Sequence, residues 1–156
     1  MIIVGYQGIG KSTLAFKDNK FISLESSSFY INGKRSEDWY IPYCEIAFDL
    51  SKQGFIIFTS SHKVVRNIFR DYFDRVVLCY PDESLYDQWI DKLQKRYDFT
   101  GLDKDYRALQ NAKFKFYENI NDLKNEKDFG HIVLTSIDYD LEKEINKYLN
   151  KNRRTS

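Results

Sequence analysis

Residues 5–12 read Gly-Tyr-Gln-Gly-Ile-Gly-Lys-Ser and match the pattern G-x-x-x-x-G-K-[ST] at every fixed position. Three of the seven glycines in the chain fall between positions 5 and 10, and backbone without Cβ atoms can turn tightly around an anion. The N–H groups of such a loop converge on the anion, and the dipole of the following helix adds to the attraction. The motif needs a strand before it and a helix after it, which residues 2–4 and 12–16 supply. The stretch predicts a phosphate-binding loop (P-loop) that binds a nucleoside triphosphate.

Individual positions of this loop suit ATP and Mg²⁺. Lys11 supplies a point charge for the β- and γ-phosphates, and the Ser12 hydroxyl is a hard oxygen ligand for Mg²⁺. Thr13 extends the start of the helix. We therefore predict cofactor contacts from Gly5, Gln7, Gly8, Ile9, Gly10, Lys11, Ser12 and Thr13.

The rest of the chain alternates short apolar segments with amphipathic ones. The apolar segments predict strands at Met1–Val4, Lys20–Leu24, Gly54–Thr59, Arg75–Tyr80 and His131–Ile137. The amphipathic segments predict helices at Pro42–Lys52, His62–Tyr72, Asp82–Tyr97, Asp103–Phe116 and Asp140–Leu149. Continuous apolar strands that alternate with helices favour a parallel sheet in a three-layer α/β/α sandwich. Ligands bind such sheets at the carboxyl ends of the strands.

Composition limits the classes of protein that remain. A chain of 156 residues with 24 basic and 23 acidic side chains has a net charge of +1. This balance argues against a protein whose main role is to coat nucleic acid or an anionic membrane. The sequence contains no run of about 18 consecutive apolar residues, so we predict no membrane-spanning segment. Cys44 and Cys79 lack metal-binding spacing and no secretory segment is evident, so we expect reduced thiols in the cytoplasm. We expect a single domain over residues 1–150 with a basic tail at 151–156, as a monomer or homodimer.

With this loop and layout, the chain resembles the P-loop small-molecule kinases, namely the nucleoside monophosphate, shikimate and gluconate kinases. The resemblance covers most of the chain in layout and is specific in sequence at Gly5–Ser12. It implies a P-loop nucleoside triphosphate hydrolase fold with five parallel strands in the order 2-3-1-4-5. It also implies an acceptor-binding region at about residues 26–53 and a basic lid at about residues 92–107.

The resemblance further implies roles for residues near the loop. Glu25 follows the second predicted strand, where family members place an acidic residue that meets the acceptor or the metal. Many P-loop enzymes carry a metal-associated Asp after the third strand, whereas this chain reads Thr59-Ser60-Ser61-His62, so Glu25 becomes the expected partner of Ser12 for Mg²⁺. Arg96 and Arg107 are expected to close over the transferring phosphoryl group. Within the lid, around Lys92–Arg107, the stretch from Asp98 to Asp105 is loop-like, and Gly101 is its candidate hinge.

The same resemblance locates the acceptor and the adenine. Basic and aromatic side chains after the second strand suit an acceptor phosphate and a base, and His62 could act as an acid or base. We expect acceptor contacts from Arg35, Tyr43, Ser60, His62 and Arg66. The loop after the fifth strand, which reaches Asp138, is expected to pack along the adenine, mostly through its backbone.

Three functions are compatible with these residues. The first is an ATP-dependent kinase whose acceptor is a nucleoside or deoxynucleoside monophosphate, with shikimate-like or sugar acceptors as variants. The second is a polynucleotide kinase, which the balanced charge disfavours. The third is a regulator that binds nucleotide without fast chemistry, which the missing Asp after the third strand favours.

Overall fold

A five-stranded parallel sheet forms the centre of the protein. The computed structural model describes residues 1–32 and 34–153, apart from the side chains of Phe73 and Asp74. The strands are β1 (Ile2–Gly5), β2 (Phe21–Ser23), β3 (Ile56–Thr59), β4 (Val76–Pro81) and β5 (Gly130–Leu134). They pair in parallel in the order β2-β3-β1-β4-β5, which confirms the predicted fold class and strand order.

Within the described residues, five α-helices connect the strands and a sixth follows β5. They are α1 (Lys11–Lys17), α2 (Tyr40–Lys52), α3 (Lys63–Phe69), α4 (Tyr86–Thr100), α5 (Asp103–Lys124) and α6 (Leu141–Arg153). Short 3₁₀ segments cover Ser26–Phe29, Arg70–Arg75 and Glu83–Leu85. No helix within the described residues has both the length and the apolar character needed to cross a membrane.

Burial on both faces of the sheet explains why the central strands are apolar throughout. Every residue of β1 and β4 is buried, as a parallel sheet covered by helices on both faces requires. The carboxyl end of β1 is Gly5, which lies beside Cys79 of β4. The P-loop therefore leaves the sheet at its middle, between β3 and β4, where the connections diverge to either side and open a crevice.

The region predicted as a lid is a helical hairpin with a shorter turn than predicted. Helix α4 continues to Thr100, beyond its predicted end at Tyr97, whereas α5 begins at Asp103 as predicted. The loop-like segment from Asp98 to Asp105 is therefore reduced to residues 101–102. Gly101 adopts a left-handed conformation with φ of 63° and caps α4 through its N–H bond to Tyr97. Acidic residues in the first turn of α5 favour an immediate restart of the helix.

Several predicted boundaries also shift. Strand β5 ends at Leu134 rather than Ile137, and α5 continues to Lys124 because its buried stripe runs on through Leu123. Helix α6 continues to Arg153, so residues 151–153 of the predicted tail are helical. Basic side chains in that last turn complement the negative end of the helix dipole. Residues 154–156 of the tail lie outside the described part of the chain.

Candidate functional site

A cleft of about 770 Å³ opens at the carboxyl ends of the central strands. The P-loop forms one side of the cleft, the ends of β2 and β3 form another, and the α4–α5 hairpin forms the third. It brings together most of the residues predicted from the sequence: Gly5, Gln7, Gly8, Gly10, Lys11, Ser12, Thr13, Glu25, Arg35, Ser60, His62, Arg66, Arg96 and Arg107.

The P-loop presents backbone donors that the protein itself does not use. Among the described residues, the N–H groups of residues 7–13 have no protein acceptor. Gly8 and Gly10 have φ of 88° and 103°, a conformation that residues with a Cβ rarely adopt. Consecutive free donors at the start of α1 form an anion-binding concavity. This arrangement fits the phosphates of a nucleoside triphosphate.

Two aromatic side chains that are distant in sequence form hydrogen bonds to carbonyl groups of this loop. The Trp89 indole donates to the Gln7 carbonyl at 2.9 Å, and the Tyr139 hydroxyl donates to the Ile9 carbonyl at 2.6 Å. Lys92 lies over both rings and donates to the Tyr139 hydroxyl at 2.8 Å. These contacts occupy the Gln7 and Ile9 carbonyls and hold the loop in its conformation. The sequence analysis did not identify Trp89, Lys92 or Tyr139.

Replacing Gly8 by Ala is expected to lower ATP affinity about 10-fold or more, because displacing the loop misplaces its donors. A Cβ at Gly8 would lie 2.9 Å from Leu93 and 3.2 Å from Trp89. Gly54→Ala is the matched control, since Gly54 has φ of 95° but open space around its Cβ position. Both variants are expected to lose about 1–3 kcal/mol of unfolding free energy to backbone strain. ATP titration should separate them, and equal affinities would contradict this account of the loop.

Lys11 lies at the base of the cleft. Its Nζ donates to the Gly5 carbonyl at 2.9 Å and to the Thr59 carbonyl at 3.4 Å. Desolvation lowers the pKa of Lys11 to about 8, with Glu25 acting in the opposite direction and Arg96 in the same one. A desolvated cation with only neutral carbonyl acceptors is well placed to meet a phosphate.

Glu25 lies close enough to Ser12 to share a ligand with it. Its Oε1 accepts hydrogen bonds from the hydroxyls of Ser12 at 3.0 Å and Ser23 at 3.1 Å. The described residues hold no cluster of three or more His, Cys, Asp or Glu side chains that could bind a metal alone. Mg²⁺ in phosphoryl-transfer sites takes one or two protein oxygens and completes its shell with phosphates and water. The Ser12 and Glu25 oxygens fit that arrangement.

The cleft is strongly positive although the chain is nearly neutral. Its lining includes eight Lys or Arg side chains but three Asp or Glu side chains, in a protein whose net charge is +1. Arg35 lies over the rings of Tyr30 and Trp39, at 4.8 and 4.1 Å, and Arg107 lies over Tyr30 at 5.1 Å. Tyr30 thus links the segment after β2 to α5. Concentrated positive charge in a cleft favours anionic ligands.

Two cleft arginines are held by carboxylates that the sequence analysis missed. Arg96 Nε donates to Asp105 at 2.9 Å, and Asp105 is 3% exposed and also accepts from the Thr100 hydroxyl. Arg66 Nη1 donates to Glu126 at 2.7 Å. Arg107 forms a looser and exposed pair with Asp103 at 3.5 Å. Asp105 and Glu126 stand out in the structure because they are buried. Their residue types are usually exposed, so the sequence gives no sign of that burial.

His62 is a neutral member of the site. Its Nδ1 forms a hydrogen bond with the Ser60 hydroxyl at 2.8 Å, and its ring packs edge-on against Trp39. Desolvation, assisted by the positive charges of Arg35, Lys11 and Arg66, lowers the pKa of His62 to about 4. The imidazole is therefore uncharged at neutral pH.

Three residues among the predicted contacts do not line the cleft. Tyr43 is buried outside the cleft, where its hydroxyl donates to the Leu24 carbonyl and accepts from the Ser60 N–H. It ties the ends of β2 and β3 together. The Ile9 side chain is buried beneath the loop. Asp138 is exposed and absent from the cleft lining, and its N–H donates to the Ser136 hydroxyl.

Comparison with known proteins supports the fold. The crystal structure of a gluconokinase from Sinorhizobium meliloti 1021 matches with a TM-score of 0.55 at 14% sequence identity, over 99% of this chain and 91% of that one. No protein-family model matches the chain, and no curated protein matches it. At this identity the likeness concerns the fold alone. The chain therefore shares its fold with that gluconokinase structure, and its P-loop lies at the carboxyl end of the middle strand.

Proposed function

We propose that this protein is an ATP-dependent phosphotransferase that moves the γ-phosphoryl group to a small anionic acceptor, with a nucleoside or deoxynucleoside monophosphate as the first choice. The observation that carries the proposal is the cleft itself. A P-loop with free N–H donors opens into a space lined by eight basic side chains and three acidic ones. ATP and a phosphorylated acceptor together bring several negative charges, which such a cleft suits. The fold shared with a gluconokinase supports a small-molecule kinase.

The residues present can perform this transfer mainly by positioning. The P-loop N–H groups and Lys11 would hold the β- and γ-phosphates, and Arg96 would add charge from the hairpin. Ser12 and Glu25 would hold Mg²⁺, which supplies charge neutralisation at the transferring group. Arg35 and Arg66 would orient the acceptor. An acceptor phosphate is already ionised at neutral pH, so the transfer needs no general base, consistent with the neutral state of His62.

The test is ADP formation from Mg-ATP with a panel of acceptors. The panel contains nucleoside and deoxynucleoside monophosphates, nucleosides, shikimate and gluconate. We expect acceptor-dependent ADP with at least one monophosphate, at a rate that saturates with the acceptor. Turnover with gluconate or shikimate instead would still support a small-molecule kinase, but its acceptor would not be a nucleoside monophosphate.

Two results would overturn the proposal. ATP binding without turnover on any member of the panel would favour a nucleotide-binding regulator. Retention on single-stranded DNA at moderate salt, with phosphorylation of its 5′ end, would favour a polynucleotide kinase. Each of these outcomes uses the same purified protein.

A further inference from the structure

The buried charges of this protein are concentrated in two ion pairs at the cleft. Within the described residues, the buried charged side chains are Arg66, Asp105 and Glu126, at 5%, 3% and 8% exposure. Asp105 holds Arg96 and Glu126 holds Arg66, and both arginines line the cleft. Burying charged groups is unfavourable, and an apolar pair of similar volume often stabilises a protein as well or better. The burial of these charges therefore calls for a reason other than stability.

Glu126 fixes the guanidinium of Arg66 from behind the cleft. The Glu126 Oε1 atom accepts from Arg66 Nη1 at 2.7 Å and from Arg70 Nη2 at 2.6 Å. Arg66 Nε donates to the Ser61 carbonyl at 3.1 Å. Two of the three guanidinium nitrogens of Arg66 are thereby committed to protein acceptors. The planar group is held at two points, which leaves Nη2 for a ligand in the cleft that Arg66 lines.

The backbone of Glu126 is itself anchored to the sheet. His131 Nε2 donates to the Glu126 carbonyl at 2.6 Å, and His131 Nδ1 forms a hydrogen bond with the Tyr80 hydroxyl at 2.7 Å. Tyr80 belongs to β4 and His131 to β5. The backbone of Glu126, which follows the end of α5, is thus fixed to two strands of the core. The side chain extends from this fixed point to Arg66 and Arg70.

We propose that Glu126 is a positioning residue that aims Arg66 at the anionic group of the acceptor. This inference rests on the proposed function. Glu126 does not line the cleft, so it would act through Arg66 and touch no substrate. Loss of the carboxylate is expected to free the guanidinium to rotate and to weaken acceptor binding, while the P-loop and its nucleotide contacts stay unchanged.

The kinetic test compares Glu126→Gln with the wild type. We expect the acceptor KM to rise about 10- to 100-fold, as misplaced orienting groups produce, with the KM for ATP unchanged. Arg66→Lys is expected to raise the acceptor KM similarly, because Lys lacks the planar fork. In the double variant the two effects should not multiply, since both changes remove the same interaction. Glu118→Gln is the control, because Glu118 is an exposed carboxylate of α5 that does not line the cleft, and its acceptor KM should match the wild type.

Folding is controlled with a second variant. Glu126→Asp keeps the charge and shortens the side chain by one methylene, so it should raise the acceptor KM even where Glu126→Gln fails to fold. Circular dichroism and melting temperature establish that each variant is folded. A folded Glu126→Gln or Glu126→Asp protein with wild-type acceptor KM would overturn the proposal, as would multiplicative effects in the double variant.

A measurement without turnover separates this inference from the proposed function. In ¹⁵N-labelled protein, the Arg66 Nε–H resonance is assigned with Arg66→Lys and followed while inorganic phosphate is added. We expect the wild-type resonance to be sharp and to shift with phosphate, and to be broadened or unresponsive in Glu126→Gln. If no acceptor is turned over, the proposed function fails and this titration still decides the role of Glu126. An identical response in the two proteins would overturn that role.

Discussion

Replacing Lys11 by Met is expected to lower acceptor-dependent turnover by at least about 10²- to 10³-fold, because it removes a preorganised positive charge from the site of phosphoryl transfer. Met is a close match in length and leaves the loop glycines unchanged. In the free protein the Lys11 ammonium meets two backbone carbonyls, of Gly5 and Thr59. A phosphate would replace these neutral acceptors with charged ones, so the interaction is strongest when substrate is bound.

The stability of the Lys11→Met protein should not fall with its activity. Desolvation lowers the pKa of Lys11 to about 8, the direction expected where burial disfavours the charged form. Removing the charge is therefore expected to leave the free energy of unfolding unchanged or slightly higher. Urea unfolding measures the stability, and ADP formation with saturating acceptor measures the activity.

The matched control for this experiment lies on the same helix. Lys17→Met removes a cation from the last turn of α1, where the side chain is exposed. It should leave turnover within about twofold of the wild type, as exposed charges far from a site usually do. A Lys11→Met protein that remains folded and active would refute the assignment of the cleft to phosphoryl transfer.

The fold was predictable because its determinants are local. Residues 5–12 dictate a strand, a tight loop and a helix within a short span, and β4 is apolar at every position because both of its faces are covered. The order of the strands does not follow from any local pattern. It came from the resemblance to P-loop kinases, and the sheet confirms it.

The hairpin shows where local reasoning failed. Asp98, Gly101 and Asp105 are polar or flexible residues in one short segment, which is typical of a loop. In the structure Asp105 is buried against Arg96 and Thr100. That burial anchors the first turn of α5, whose start at Asp103 the amphipathic pattern had predicted although the same segment also looked loop-like. Residue type alone does not report such a tertiary contact.

The site residues that the sequence analysis missed are also far along the chain from the residues they contact. Trp89 reaches Gln7 across 82 positions, Tyr139 reaches Ile9 across 130, and Glu126 reaches Arg66 across 60. No periodicity or motif encodes pairings of this kind. The P-loop residues were identified because they carry their own spacing, whereas their supports depend on how α4, α5 and β5 return to the sheet.

Replacing Glu25 by Gln is expected to lower the maximal turnover about 10²-fold or more and to raise the Mg²⁺ concentration needed for half of it, since charge stabilisation at the transferring group depends on a bound metal. Gln keeps the size of the side chain and one oxygen but removes the charge. Glu25 is the one acidic side chain that hydrogen-bonds to Ser12 in the described part of the chain, and the strand end at Thr59 offers no second carboxylate.

The magnesium experiment distinguishes a metal partner from a capping side chain. Turnover is measured across Mg²⁺ concentrations for the wild type, Glu25→Gln and the control Glu37→Gln, whose side chain is exposed and outside the cleft. A metal role predicts that added Mg²⁺ partly restores the Glu25→Gln protein, because weaker binding is offset by mass action. A purely structural role predicts a lower melting temperature with an unchanged Mg²⁺ dependence. In that case the metal would depend on Ser12 and the nucleotide phosphates alone, and Glu25 would serve to orient the Ser12 hydroxyl.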